Sequence, residues 1–114
     1  MGADPVAFAI ARASVDRPPL IEAFSVRKAA KQHGTGRRIE GNFAPGAPVV
    51  VLEDVITSGG SALQAIEAIR AEGGQVLGVL AVVDRDQGGR QAVEAAGIVV
   101  VALTTSNDLG LSPP

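Results

Sequence analysis

Two stretches of this chain carry residue types and spacings that can do chemistry. The first reads Glu53-Asp54-Val55-Ile56-Thr57-Ser58-Gly59-Gly60-Ser61. Gly59 and Gly60 allow backbone N–H groups to approach an anion with no Cβ in the way. Thr57, Ser58 and Ser61 add hydroxyl donors. A helix starting there would contribute free N–H groups and a favourable dipole. Together these features suit a phosphate monoester. Glu53 and Asp54 cannot contact that phosphate favourably; they suit hydrogen bonds from sugar hydroxyls or a facing metal ion. The second stretch runs from Arg27 to Asn42. There Arg27, Lys28, Lys31, Arg37 and Arg38, five of the ten Lys and Arg residues, crowd around His33, Gly34, Gly36 and Gly41. Charge and glycine together predict a mobile, exposed loop.

The elements that must position these residues follow from the apolar pattern. Asp4-Pro5 suits a helix start, and Val6 to Ala11 is apolar all round, which predicts a buried helix ended by Arg17-Pro18-Pro19. Leu20 to Val26 predicts a strand. Val49 to Leu52 predicts a buried strand, with the two acids and the turn after it. A helix follows the turn to about Glu72, with Leu63, Ile66 and Ile69 on its apolar face. Gly73-Gly74 ends it. Val76 to Val83 predicts another strand, Asp84 to Gly89 a polar turn, Arg90 to Ala96 a short helix, and Ile98 to Leu103 a last strand. The order predicts an α/β sheet with parallel crossovers, organised as one core over residues 1–103 and a loose tail over 104–114.

Composition narrows the function classes. The chain has 114 residues, 46% apolar and 19% charged, with three Phe and neither Trp nor Tyr. Its core must be aliphatic, as in parallel strands covered by helices on both faces. Aromatic stacking platforms for single-stranded nucleic acid are excluded. A formal net charge of −2 gives no overall basic field for nucleic acid or an anionic membrane. With no Cys and one His, disulfides and thiolate metal sites are excluded and a structural zinc site is disfavoured. No apolar run reaches the ~18 residues of a membrane span, and the N-terminus does not read as a signal peptide. The expectation is a cytoplasmic protein.

Residues 49–61, Val-Val-Val-Leu-Glu-Asp-Val-Ile-Thr-Ser-Gly-Gly-Ser, resemble at every position the signature with which type I phosphoribosyltransferases bind 5-phosphoribosyl-1-pyrophosphate (PRPP). They are not a Walker A motif, since no Lys follows the glycines, nor a dinucleotide fingerprint, since the acids precede the turn. Arg27-Lys28-Ala29-Ala30-Lys31-Gln32-His33-Gly34 resembles the catalytic loop of the orotate phosphoribosyltransferases, Arg-Lys-x-x-Lys-x-His-Gly, at all five defining positions. Val82-Val83-Asp84-Arg85 resembles the strand end where that family sets an Arg against the orotate carboxylate. Gly2-Ala3-Asp4-Pro5-Val6 resembles the end of its pyrophosphate loop. Taken singly, each segment also has a plain structural reading: a capped strand–turn–helix, a solvated basic loop, a charged turn, an N-cap.

The resemblance spans Gly2 to about Leu103 and implies the parallel-sheet type I phosphoribosyltransferase core. It implies transfer of phosphoribose from PRPP to orotate, giving orotidine 5'-monophosphate and pyrophosphate in pyrimidine biosynthesis. PRPP would meet Arg27, Lys28, Lys31, His33, Glu53, Asp54, Val55, Ile56, Thr57, Ser58, Gly59, Gly60 and Ser61. Orotate would meet Thr57 and Arg85. Lys28, Lys31, His33 and Asp54 would be the catalytic set. Mg²⁺ would be bound mainly through PRPP, with no direct protein ligand. The loop of residues 27–42 would reach the neighbouring site of a homodimer. Family members are longer at the N-terminus, with a hood that covers the base and supplies a Lys, then a first core strand. The expectation is therefore a shortened core, with base pocket and pyrophosphate wall incomplete and strand edges unpaired. Two alternatives stand beside this reading: a phosphoribosyltransferase for another base, and a catalytically inactive PRPP- or nucleotide-binding module.

Overall fold

Runs of Val, Ile and Leu separated by glycine-capped helical segments fold here into a parallel sheet with helical crossovers. The computed structural model describes residues 2–27 and 38–110. Its elements are α1 (Asp4–Ala13), β1 (Phe24–Val26), β2 (Ile39–Gly41), β3 (Pro48–Ile56), α2 (Gly60–Ala71), β4 (Gln75–Asp84), α3 (Gly89–Ala95) and β5 (Val100–Thr105). Strands β3, β4 and β5 form a parallel sheet in that order. Val51 pairs with Val79, and Val79 with Val100. Such pairs need crossover connections, which α2 and α3 provide. Helices α2 and α3 share one core with the sheet: Ile66, Ile69 and Val93 pack with Val49, Val51, Ile56, Val79, Ala81 and Val100.

Several expectations are corrected. The sheet is not covered on both faces among the described residues. Val50, Val101 and Leu103, each of opposite parity to a buried neighbour, and Leu77, beside the register shift of β4, are exposed, because α2 and α3 both contribute to the cluster on the other face. Helix α1 is not buried: none of its residues is, and Phe8 is 51% exposed. Among the described residues it packs mainly against β1 and β3, which covers one face. Its N-cap is Ala3, with Asp4 as first helical residue and no side-chain cap. Asp4 instead accepts a hydrogen bond from the Ser25 hydroxyl at 3.0 Å, tying the start of α1 to β1.

The strand expected over Leu20 to Val26 is only Phe24–Val26, and it is not part of the parallel sheet. It pairs antiparallel with β2, inside the stretch expected to be loop. Ile39 is buried there, which favours a β-branched strand residue. Phe24 meets Phe43 edge to face, with ring centroids 5.1 Å apart. The ends of the 27–42 stretch are thus held by this strand pair, and the rest of the expected loop, residues 28–37, lies outside the described residues. The expected tail is also corrected at its start. Thr104 and Thr105 pair with Val83 and Asp84 in β5, and the buried Ser106 donates its N–H to the Asp84 carbonyl at 2.8 Å. Among the described residues no helix is long and apolar enough to cross a membrane.

The one-sided core makes a testable contrast. Ile69→Ala should lower unfolding free energy by about 2–5 kcal/mol, the usual cost of truncating a buried Ile. Leu103→Ala, on the open face, should change it by less than about 0.5 kcal/mol. Urea denaturation of both variants checks this; equal losses would mean that the Leu103 face is packed in solution.

Candidate active site

The chemistry-bearing residues are set by the length of β3. The apolar run alone ends at Leu52, yet the strand continues through Ile56, so Glu53 and Asp54 lie on the strand and not in the turn beyond it. Glu53 pairs with Ala81 and Val55 with Val83. Ladder bonding to β4 carries the backbone past the acids until Ile56, 2% exposed, plugs into the core. The Ile56 carbonyl accepts the Arg85 N–H at 3.0 Å.

The turn after Ile56 is open for an anion. Gly59 is the N-cap of α2, with φ +88° and no side-chain cap. That left-handed conformation is where glycine is favoured. The Ser58 hydroxyl accepts a long 3.4 Å bond from Gly60 N–H, and Ser58, Gly60 and Ser61 are exposed. Ser61, at the helix start, shares a cavity wall with Glu53 on the strand.

A cavity of about 960 Å³ runs along β3, between it and the α1–β1 side. Glu53, Asp54, Val55 and Ser61 share its wall with Gly2, Ala3 and Asp4. A Cβ built on Gly2 would sit 2.5 Å from Asp54 Oδ2, so the turn before α1 lies directly on this carboxylate. Asp54 Oδ1 accepts the Val55 N–H at 2.8 Å. Burial holds the Glu53 carboxyl above its ordinary range; the Ser61 hydroxyl opposes this and the neighbouring Asp54 adds to it.

Thr57, Ser58, Gly59 and Gly60 do not line that cavity. Ile56 places its side chain in the core and its carbonyl on Arg85, while Val55 is 39% exposed. Arg27 is turned toward the hairpin: it pairs with Glu40, its N–H donates to the Arg38 carbonyl at 2.7 Å, and its own carbonyl accepts Arg38 Nε at 2.9 Å. Lys28, Lys31 and His33 lie outside the described residues. Arg85 is exposed, at a turn where Asp84 Oδ1 accepts the Asp86 N–H and Asp86 adopts φ 59°. Residue-by-residue reading missed one link at the site, the close approach of Gly2 to Asp54, which is long-range and leaves no periodic trace in the sequence.

The environment of Glu53 makes a pH prediction. A raised carboxyl pKa means that the folded protein holds this proton more tightly than the unfolded chain. The contribution is fully present below the ordinary value of 4.5 and is lost as pH rises through the folded value. Glu53→Gln mimics the protonated form. Its stability should match the parent near pH 4 and exceed it near pH 7, where the parent carboxylate is ionised. Thermal unfolding across that range checks this, and a difference independent of pH would refute it.

No protein-family model matches this chain. It is 50% identical over 109 residues to the orotate phosphoribosyltransferase of Aquifex aeolicus, covering 96% of this chain and 60% of that protein. A crystal structure of the Mycobacterium tuberculosis orotate phosphoribosyltransferase in complex with PRPP superposes with a TM-score of 0.81 at 44% identity, over 94% of this chain and 59% of the other. A distant likeness to the Leishmania donovani adenine phosphoribosyltransferase, TM-score 0.54 at 16% identity over 86% of this chain and 45% of that one, concerns the fold alone. The chain spans about three-fifths of the length of the curated relatives it matches. Over the residues that it contains, the chain is homologous to orotate phosphoribosyltransferases, and its fold is that of the type I phosphoribosyltransferase core.

Proposed function

We propose that this chain carries the PRPP-binding part of an enzyme that transfers phosphoribose to orotate. One observation carries the reading: β3 delivers two acids to a cavity wall and ends in a left-handed glycine turn at an uncapped helix start. Kinship with orotate phosphoribosyltransferases along nearly the whole chain supports it.

In this reaction a ring nitrogen of orotate forms a bond to the anomeric carbon as that carbon's bond to pyrophosphate breaks. Thr57 to Ser61 hold the 5'-phosphate, with the α2 N–H groups as donors. Glu53 and Asp54 accept hydrogen bonds from the ribose hydroxyls. Thr57 and Arg85 meet orotate, the Arg being suited to bidentate carboxylate recognition. Arg27, Lys28, Lys31 and His33 serve the departing pyrophosphate, where negative charge grows; His33 can donate a proton or hydrogen bond there. Arg27 must leave Glu40 to do so.

Mg²⁺ would arrive on PRPP. Adjacent carboxylates on an edge strand are hard oxygen donors of the class it prefers, and the ion would supply charge neutralisation on the pyrophosphate. The assembly we infer is a cytoplasmic homodimer in which residues 27–42 reach the neighbouring site.

Three measurements test the reading. Gly59→Val should abolish PRPP binding by calorimetry, since a branched side chain at φ +88° is strained and would collide with the Gly89 backbone, displacing the turn. Asp54→Asn should weaken Mg²⁺–PRPP binding by roughly 1.5–3 kcal/mol, the worth of a hydrogen bond to a charged group, with far less effect on inorganic phosphate. Equal weakening of both ligands would mean that Asp54 holds the turn and does not read the sugar. Among orotate, uracil and hypoxanthine, only orotate should support release of pyrophosphate; preference for another base would overturn the assignment. A folded chain without measurable PRPP affinity would overturn the whole proposal.

A further inference from the structure

The turn that holds the phosphate does not stand alone. It is set into the start of α3. A Cβ built on Gly89 would sit 2.4 Å from the Thr57 carbonyl oxygen, 2.5 Å from Ile56 Cγ2 and 2.8 Å from Gly59 N. From the other side, a Cβ built on Gly59 would sit 2.8 Å from the Gly89 carbonyl oxygen. Two backbones therefore touch through two glycines, and most of the atoms in the way are backbone. They cannot swing aside as a side-chain tip does. Gly89 is buried at the first position of α3. Its φ does not lie in the left-handed region, so its own conformation does not demand glycine. Within a helix alanine is the better residue. What Gly89 supplies is the missing side chain, and with it the close approach.

The same junction ties in Arg85. The Arg85 N–H bonds the Ile56 carbonyl at 3.0 Å, one residue before Thr57. The segment from Arg85 to Gly89 thus contacts 56–59 at both of its ends. We propose that Gly89 is a positioning residue for the 57–60 turn: the start of α3 is the surface on which the phosphate donors are set, and it fixes them in one frame with Arg85. This rests on reading 57–61 as a phosphate cradle. It adds that the cradle's geometry is imposed from α3, thirty residues along the chain.

The test uses inorganic phosphate as the probe, with PRPP as a second ligand. Gly89→Ala should weaken binding of both by roughly tenfold or more, the size expected when one charge-assisted hydrogen bond is lost. Val93→Ala is the comparison. Val93 is fully buried on the same helix, so its truncation destabilises α3 without placing an atom against the turn. Its folded fraction should bind phosphate as the parent does. Phosphate is also titrated into the parent chain with amide resonances observed by NMR. Those of Gly88, Gly89 and Arg90 should shift with the same Kd as those of Gly59 and Gly60. Should the Gly89→Ala chain not fold, this titration decides alone. Parental affinity in folded Gly89→Ala, or shifts confined to 57–62, overturns the positioning role while leaving the cradle intact. Absence of saturable phosphate or PRPP binding in the parent chain overturns the cradle, and this inference with it.

Discussion

Everything at the site depends on where β3 stops. Ile56 is the last strand residue, and its side chain is in the core while its carbonyl is held by Arg85. A strand pinned at that point must release its chain into the turn at one place and in one direction. The acids two and three residues earlier then fall on the strand's own ladder, where β4 fixes them. Aliphatic packing under the sheet thereby sets the distance between the carboxylates and the glycine turn. No polar interaction at the site needs to be strong for this to hold.

The basic segment is organised by a different force. Strands β1 and β2 are three residues each and bury only Ile39, too little for an independent hairpin. Polar contacts at its open end compensate: the Arg27–Glu40 pair and the reciprocal bonds between the Arg27 and Arg38 backbones and the Arg38 side chain. The pair is partly solvated, so its contribution is small and salt-dependent. A cation assigned to the substrate thus already has a protein partner of opposite charge, and exchange between the two costs little.

Much of this was legible in the sequence. The three parallel strands, the helices α2 and α3 and the glycine turn follow from apolar runs and punctuation, because burial and turn chemistry are local. The acids and the turn were recognisable because strand, carboxylates and glycines are contiguous. What was not legible depends on partners distant in the chain. The apolar α1 looked buried, but only one of its faces meets β1 and β3. Val50, Leu77, Val101 and Leu103 looked like core, and no pattern of Val and Leu says on which face a helix will lie. Ile39 sits among charges and glycines, so a strand there was hidden until β1 was found beside it. Gly89 reads as the end of a polar turn; only the folded geometry places it against 56–59.

Parallel pairing also ties the site to the order of folding. The residues that meet at the turn, Ile56 with Arg85 and Gly59 with Gly89, are roughly thirty apart in the chain, and contacts of that span form only after loop-closure entropy has been met. No early hairpin can carry a partial version of the cradle. It comes into being when α2 and α3 have both closed over the sheet. An anion bound there, as proposed, would select chains with both crossovers complete and by mass action draw the folding equilibrium toward them. The half of the chain from β3 to β5 would feel that pull directly. Helix α1 is joined to it through its packing against β3 and the contact of Gly2 on Asp54, and would be steadied only as far as those contacts transmit it.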